Sequence, residues 1–251
     1  MARRNWTREE LILAINLYCK IPFGTIHNRN PKIIKLANLI NRSPNAVSYK
    51  LANFASIDPS LDRKGASHTS KLDKKVWYEF FNNWTELSYE SEKILLKYKN
   101  KNIKSKIDKL SDLPDGKDKY RSTKTRINQS FFRSAILASY NNKCCITGIS
   151  EKKLLIASHI IPWSVDKPNR TNPQNGLCLN AMHDKAFDCG LLTIKSEDYS
   201  IAISSAVREK YDKNENYNIF KKYDGKRIKL PERFLPNKQF LKYHNNDIFI
   251  E

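Results

Sequence analysis

Residues 154–163, "LLIASHIIPW", predict a short apolar strand that carries one histidine and ends at a proline. His159 is the only ionisable side chain in this stretch. A single histidine among aliphatic residues is more often a core residue with a satisfied hydrogen bond than a catalytic residue. Its role therefore depends on the residues that surround it.

The next segment, residues 169–194, "NRTNPQNGLCLNAMHDKAFDCGLLTI", supplies further polar groups at regular distances. Asn175 lies sixteen residues after His159, Asp184 nine residues after Asn175, and Asp188 four residues after Asp184. Residues four apart share a helix face, so both carboxylates can point at one hard divalent cation. A strand with a histidine, a loop with an asparagine and a helix with two carboxylates together indicate a possible metal site.

Composition and hydropathy indicate an ordinary globular protein. The 251 residues, 40% of them hydrophobic, are enough for one large core or two smaller ones. No apolar run is long enough to span a bilayer, and the N-terminus lacks the apolar core of a signal peptide, so we expect a cytoplasmic protein without a membrane partner. The five cysteines are odd in number and include the adjacent pair Cys144 and Cys145, which favours reduced thiols.

The net charge points to a polyanionic partner. The formal charge is +19, and residues 1–57 alone carry nine lysines and arginines against two acidic residues. Each phosphate contact of a cationic protein releases counterions, so this charge favours nucleic acid. The alternative is a protein that lysine merely keeps soluble.

The first segment carries clear helix-start signals. Thr7 and Glu10 form a predicted capping box, and two further helices are predicted to begin at Asn30 with Pro31 and at Ser43 with Pro44. The expected buried positions are Leu11, Ile15 and Tyr18 of the first helix and Val47, Leu51 and Phe54 of the third. Residues 6–57 thus resemble a helix-turn-helix or Myb-like DNA-binding unit.

That resemblance implies a DNA-reading surface on the third helix. Asn45, Ser48, Tyr49 and Lys50 are expected to face outward, with Arg42 at the helix entrance. Asparagine and serine are suited to base edges, whereas arginine and lysine are suited to phosphates. The alternative is a plain helical bundle with a solvated polar face.

The middle of the chain predicts a helix followed by a linker. Residues 72–98 have Trp77, Phe81 and Trp84 at helical spacing, which indicates a core stripe. Residues 99–124 are rich in lysine, aspartate, serine and asparagine and predict a linker. Asp224 and Gly225, near the end of the chain, predict a tight hairpin.

Another helix is predicted over residues 125–140. Phe132, Ile136 and Tyr140 form its apolar stripe. Arg126 and Arg133 lie on the same helix and are candidate phosphate contacts.

At this point residues 131–195 resemble the HNH nuclease family and its ββα-metal fold. The matching segments, in order, are "CCITG", "ASHIIPW", "NPQNGLCL" and "HDKAFDCGLLTI", and they are similar to the restriction-type branch. The resemblance implies that His159 is the general base, that Asn175 braces its loop, and that Asp184 and Asp188 hold Mg²⁺ or a similar ion. The implied substrate is double-stranded DNA.

The sequence departs from the family pattern at two places. Many relatives have an aspartate or histidine immediately before the catalytic histidine, where this chain has Ser158. Many also have two CxxC pairs that bind structural zinc, whereas here Asn180 and His183 occupy the places of the second pair. We therefore expect no structural zinc. His183 could replace Asp184 as a ligand, although it lies about 100° away around the helix.

Together these observations predict an α+β protein in three parts: a helical DNA-binding domain over residues 1–57, a helical segment and linker over 58–125, and a nuclease domain over 126–251. The expected activity is metal-dependent restriction of foreign DNA, as in antiviral defence, with a possible homodimer for cutting both strands. The alternatives are a non-catalytic DNA-binding regulator, which Ser158 keeps open, and a nicking or mobile-element endonuclease.

Overall fold

The computed structural model describes residues 4–61, 66, 68–100, 117–210 and 215–251, except for the side chains of residues 100 and 117–123. The chain forms two compact units, Met1–Ala135 and Ile136–Glu251. The first is helical, and the second combines helices with two small antiparallel sheets. The predicted α+β composition is therefore confirmed, whereas the helix-turn-helix resemblance and the three-part division stay predictions.

The first unit contains the helices α1 (Arg8–Lys20), α2 (Pro31–Leu39), α3 (Pro44–Ala55), α4 (Lys71–Phe80), α5 (Trp84–Asn100) and most of α6 (Lys117–Ser139). The predicted helix starts are confirmed. The Thr7 side chain accepts from the Glu10 N–H in a complete capping box, while Asn30 and Ser43 cap α2 and α3. These caps depend only on neighbouring residues, which is why the sequence alone predicted them.

An aromatic core joins the helices of this unit. Trp77 of α4 packs edge-on against Tyr18 of α1 and is stacked on Phe54 of α3, with ring centroids 5.6 and 5.7 Å apart. All six predicted apolar positions of α1 and α3 are buried: Leu11, Ile15, Tyr18, Val47, Leu51 and Phe54. The helices from α1 to α5 therefore share one core.

Three local predictions need correction. The single helix expected over residues 72–98 is two helices, because the chain turns at Asn82 with a left-handed φ of 72°. The linker expected over residues 99–124 includes part of α6, which begins at Lys117, while residues 101–116 lie outside the described residues. Gly225 turns the chain with φ 74°, but a short helix precedes it instead of a strand, so no hairpin forms there.

The second unit begins within α6 and contains β1 (Leu155–His159), β2 (Gly176–Asn180), α7 (Ala181–Asp188), β3 (Leu192–Ile194), β4 (Ile201–Ile203), α8 (Ser205–Arg208), α9 (Asn218–Lys221) and α10 (Lys238–Asp247). β1 pairs antiparallel with β2, and β3 pairs antiparallel with β4. α7 follows β2 directly, and the Asn180 side chain caps it by accepting from the N–H groups of Met182 and His183.

The C-terminal segment is bound to this unit by backbone hydrogen bonds. The Asn237 N–H donates to Gln174 O at 3.0 Å, and the Ile250 N–H donates to Gly190 O at 2.9 Å. Gly190 ends α7 with φ 70°, and a Cβ there would lie only 2.1 Å from Ile248 O. This position therefore requires glycine for its conformation and for the close approach of the tail.

Candidate active site

The predicted site residues of the second unit lie on three consecutive elements. β1 ends with His159, whose register partner in β2 is Gly176, and α7 carries Asp184 and Asp188. His159, Asp184 and Asp188 line one cleft of about 440 Å³. The structure thus brings together the histidine and both carboxylates that the sequence selected.

A backbone carbonyl fixes the tautomer of His159. Its Nε2 lies 2.9 Å from Arg170 O, and because a carbonyl oxygen only accepts, Nε2 must carry the hydrogen. In the neutral ring the basic atom is then Nδ1. Burial lowers the pKa of His159, which favours that neutral ring near neutral pH.

The loop that holds Arg170 is itself fixed. The Arg170 Nε donates to Trp163 O at 2.6 Å, and its guanidinium lies 4.9 Å from the centre of the Trp163 ring. Trp163 in turn meets the His159 ring edge-on at 5.5 Å. The imidazole is therefore held by a ring contact as well as by a hydrogen bond.

Asn175 connects this loop to the end of β1. Its Oδ1 accepts from the Ile161 N–H at 2.8 Å, and its Nδ2 donates to Ile161 O at 3.2 Å. The side chain is buried, and Nδ2 also reaches Asn169 O at 3.4 Å. Asn175 thus fixes the backbone two residues after His159, an arrangement suited to a bracing role.

The two carboxylates of α7 lie close enough to repel each other. Burial raises the pKa of both, and the Asp184 charge raises that of Asp188 further. Asp184 is half-buried and Asp188 is exposed at the end of α7. Two neighbouring carboxylates whose charged forms are both disfavoured form a site that a cation would stabilise.

Ser158 faces the same cleft from β1. Its side-chain oxygen is buried and has no hydrogen-bond partner within the described part of the chain, and the residue is 3% exposed. The hydroxyl lowers the pKa of Asp184, against the larger effect of burial. The two groups do not, however, meet the distance and angle of a hydrogen bond. An unsatisfied oxygen beside two carboxylates is a further potential ligand or an anchor for a metal-bound water.

These groups suit a hard cation that keeps much of its water shell. Mg²⁺ is commonly bound by one or two carboxylates, with water completing its octahedral coordination. Asp184, Asp188 and the unsatisfied Ser158 oxygen meet that requirement. Among the described residues, no group of three or more His, Cys, Asp or Glu side chains could hold a metal ion, so Asp184 and Asp188 would contribute to a cation site as a pair.

His183 does not line this cleft. Its Nδ1 lies 2.9 Å from Asn180 Nδ2, and its ring packs edge-on against Phe220 and Tyr223. Asn180 Nδ2 also lies 3.8 Å from Cys144 Sγ. The suggestion that His183 replaces Asp184 as a ligand is therefore not supported by its position.

The structure adds two residues that the sequence did not select. His244 and Ile248 of the C-terminal segment also line the cleft. The His244 ring stacks on Phe187 of α7 with centroids 3.6 Å apart, and its Nε2 donates to Phe187 O at 3.1 Å. No motif spacing links residue 244 to residue 187, so only tertiary packing reveals this contact.

The predicted DNA-binding residues of α3 occupy different environments. Lys50 does not face outward as expected: it is 6% exposed, and its Nζ lies 2.8 Å from Asp73 Oδ2. Arg42 is also largely enclosed, because it pairs with Glu10 at 2.8 Å and its guanidinium lies 4.0 Å from the centre of the Trp6 ring.

The remaining candidates are more accessible. Asn45 is exposed and accepts from Asn28 Nδ2, while Ser48 is half-buried and donates to Asn45 O. Arg126 and Arg133 of α6 are exposed. Positions seven apart lie on one helix face, so these two arginines share a surface.

A known protein family matches part of the second unit. Residues 144–195, which contain β1, β2 and α7, match the family model for HNH endonuclease. The C-terminal half contains an HNH domain. An HNH domain indicates a nuclease that acts on DNA, and the match covers the histidine, the asparagine and both carboxylates. No curated protein matches the chain.

Nothing in the described part of the chain indicates a membrane span. None of the helices there combines the length and the apolar character that crossing a bilayer requires.

Proposed function

We propose that this protein is a metal-dependent HNH endonuclease that hydrolyses phosphodiester bonds of double-stranded DNA. The observation that carries the proposal is the shared cleft of His159, Asp184 and Asp188. One side of this cleft offers a base, and the other offers a site for a cation.

His159 is the proposed general base. The Arg170 carbonyl keeps hydrogen on Nε2, so Nδ1 takes the proton from the water whose oxygen attacks phosphorus. As the new P–O bond forms, the bond from phosphorus to the 3′ oxygen breaks, and the departing oxygen takes a proton from solvent. Asn175 contributes by fixing the backbone at Ile161, and not by touching the phosphate.

Asp184 and Asp188 are the proposed holders of Mg²⁺ or a similar ion, with Ser158 as a neighbouring oxygen. When bound, the cation neutralises charge on the phosphate and on the leaving oxygen. Without a cation the two carboxylates would repel the phosphate, so the proposed mechanism requires a cation beside them.

DNA contacts outside the cleft are proposed for Arg126 and Arg133, whose exposed side chains share a face of α6. Asn45 and Ser48 stay candidate base readers. Arg42 and Lys50 are less suited to phosphate, because both are engaged with carboxylates inside the first unit.

We further propose that the protein acts as a restriction-type enzyme in defence against foreign DNA. The order of the four matching sequence segments supports this role. One ββα module holds one catalytic centre, so cutting both strands would require two copies of the chain on DNA. Cutting one strand at a time, as a nicking enzyme does, would require only one copy.

The test is incubation of purified protein with supercoiled plasmid, with Mg²⁺ and with chelator. We expect nicked or linear product only with the cation, and the ratio of these products distinguishes nicking from double-strand cutting. Unmodified, methylated and hydroxymethylated plasmids show whether base modification matters. His159→Ala should abolish cleavage, whereas the control His27→Ala, at an exposed position in the first unit, should leave it unchanged.

A non-catalytic DNA-binding regulator would give a different result. It would bind DNA but release no product under any of these conditions. Cleavage that persists at the wild-type rate in His159→Ala would exclude the proposed base.

A further inference from the structure

A second cleft lies in the first unit, within a different part of the chain from the proposed catalytic residues. It has a volume of about 820 Å³ and is built by Trp6, by one face of α3 and by the start of α4. The α3 residues that line it include Ala46, Tyr49 and Asn53, which recur every three or four positions along that face. Its volume falls within the range typical of small-molecule sites.

The charged walls of this cleft are fixed by internal ion pairs. Arg42 is bound to the buried Glu10, and Lys50 is bound to the buried Asp73. Because these cations are already neutralised, the interior is not organised to bind a phosphate. Lys71 at the start of α4 is exposed beside the cleft and suits a phosphate at its edge.

One of the residues that line the cleft has an unsatisfied acceptor. Asn53 is 3% exposed, and its Nδ2 donates to His68 O at 3.0 Å, which fixes the orientation of the amide. Asn53 Oδ1 has no hydrogen-bond partner in the described part of the chain. A buried oxygen of this kind is costly to leave unpaired and is suited to a ligand N–H group.

An exposed aromatic ring lies one helical turn from that acceptor. Tyr49 is 51% exposed, and the spacing of four residues places it on the same face of α3 as Asn53. Trp6 contributes a second ring to the lining. Aromatic surface beside a hydrogen-bond acceptor is the combination with which proteins bind unstacked nucleobases.

We propose that this cleft binds a nucleobase of DNA that has left the base stack, with Tyr49 stacking on the base and Asn53 Oδ1 accepting a base N–H. The inference rests on the proposed function, because DNA is taken as the ligand. It extends the predicted reading surface of α3, which includes Asn45 and Ser48, to Tyr49 and Asn53. The base comes either from a duplex, by eversion, or from a single strand.

The experiment measures binding of the full-length protein to fluorescent DNA without divalent cation, so that no cleavage occurs. The probes are a duplex with 2-aminopurine opposite an abasic site, the fully paired duplex, the single strand and a nucleoside monophosphate. Tyr49→Ala should weaken binding of the 2-aminopurine duplex about tenfold or more, since stacking on one aromatic ring typically contributes that much. Tyr49→Phe should retain binding, because the ring remains.

Tyr78→Ala is the matched control. Tyr78 lies in the same unit, is 63% exposed and is outside the cleft, so its removal should leave binding unchanged. Equal affinity of the Tyr49→Ala and Tyr78→Ala proteins for every probe would overturn the inference, as would loss of binding in Tyr49→Phe. Tyr49-dependent binding of the single strand alone would identify unpaired DNA as the source of the base.

Cleavage assays on the same preparations separate this inference from the proposed function. Cleavage by the wild type together with Tyr49-independent binding overturns the nucleobase site and leaves the nuclease intact. Tyr49-dependent binding without any cleavage overturns the nuclease and leaves the nucleobase site intact. Absence of both binding and cleavage overturns both.

Discussion

Acid should weaken the second unit through His244, which holds the end of α7. This side chain is 1% exposed, donates to Phe187 O and lies 2.8 Å from Thr193 Oγ1. Burial lowers its pKa from 6.5 to about 4. Because the folded pKa lies below the unfolded one, the stabilisation is present above pH 6.5 and is lost as pH falls toward 4. The full loss is about 3 kcal/mol, of which about 2 kcal/mol falls between about pH 7 and about pH 4.5.

The comparison protein is His244→Phe, which keeps a ring against Phe187 but cannot titrate. At about pH 7 it should be less stable than the wild type by about 1–3 kcal/mol, because two hydrogen bonds of the imidazole are lost, one with Phe187 O and one with the Thr193 hydroxyl. At about pH 4.5 the two proteins should have nearly equal stability, because only the wild type has lost the contribution of a neutral His244.

Urea unfolding at both pH values measures this difference. Tryptophans lie in both units, but the first unit is identical in the two proteins, so the difference between their fluorescence curves reports the second unit, where Trp163 lies. Other groups titrate in both proteins alike, and the difference between them isolates His244. If the free energies of unfolding of the two proteins fall in parallel between the two pH values, the reasoning is refuted.

Other predictions follow from the same geometry. Because burial lowers the pKa of His159, the acidic limb of the pH profile of kcat/KM should have its midpoint below pH 6.5. A midpoint at or above this value would contradict a buried His159. Asp184→Asn should weaken Mg²⁺ or Mn²⁺ binding in a calorimetric titration. Without metal it should not lower the melting temperature, because it removes the repulsion between Asp184 and Asp188. Lys50→Met should cost about 3–5 kcal/mol in urea unfolding by leaving the Asp73 charge buried and unpaired, and adding Asp73→Leu should restore much of that loss. Asp73→Leu also removes the capping-box hydrogen bond from the Ser70 N–H, so the recovery should be incomplete. No recovery at all would contradict a loss caused by the unpaired Asp73 charge.

The predictable parts of the fold are those that neighbouring residues decide. The caps at Thr7, Asn30 and Ser43 require only a side-chain oxygen and an N–H two or three residues later, so the sequence predicted them. The break at Asn82 was missed because helical spacing of the aromatics continues across it. Periodicity records which side chains are buried and does not by itself show where a helix is interrupted.

The sequence predicted the residues of the candidate site but not their hydrogen bonds or their pKa shifts. The order and spacing of the matching segments selected His159, Asn175, Asp184 and Asp188, and the family match covers all four. Their chemistry depends on groups that the motif does not contain. The Arg170 carbonyl determines which nitrogen of His159 is basic, and burial with mutual repulsion raises the pKa of the carboxylates.

By itself, the sequence determined the local helix starts, the ββα order and the candidate side chains for a base and two cation ligands, because these follow from residue type and short-range spacing. Only the tertiary structure decided that Lys50 of α3 is buried against Asp73 and that His244 holds α7. From helical periodicity alone, a polar residue such as Lys50 is predicted to lie at the surface. The periodicity does not show that Asp73, on another helix, pairs with it. Contacts between distant residues form because burial and charge are satisfied in three dimensions, and no period along the chain encodes them.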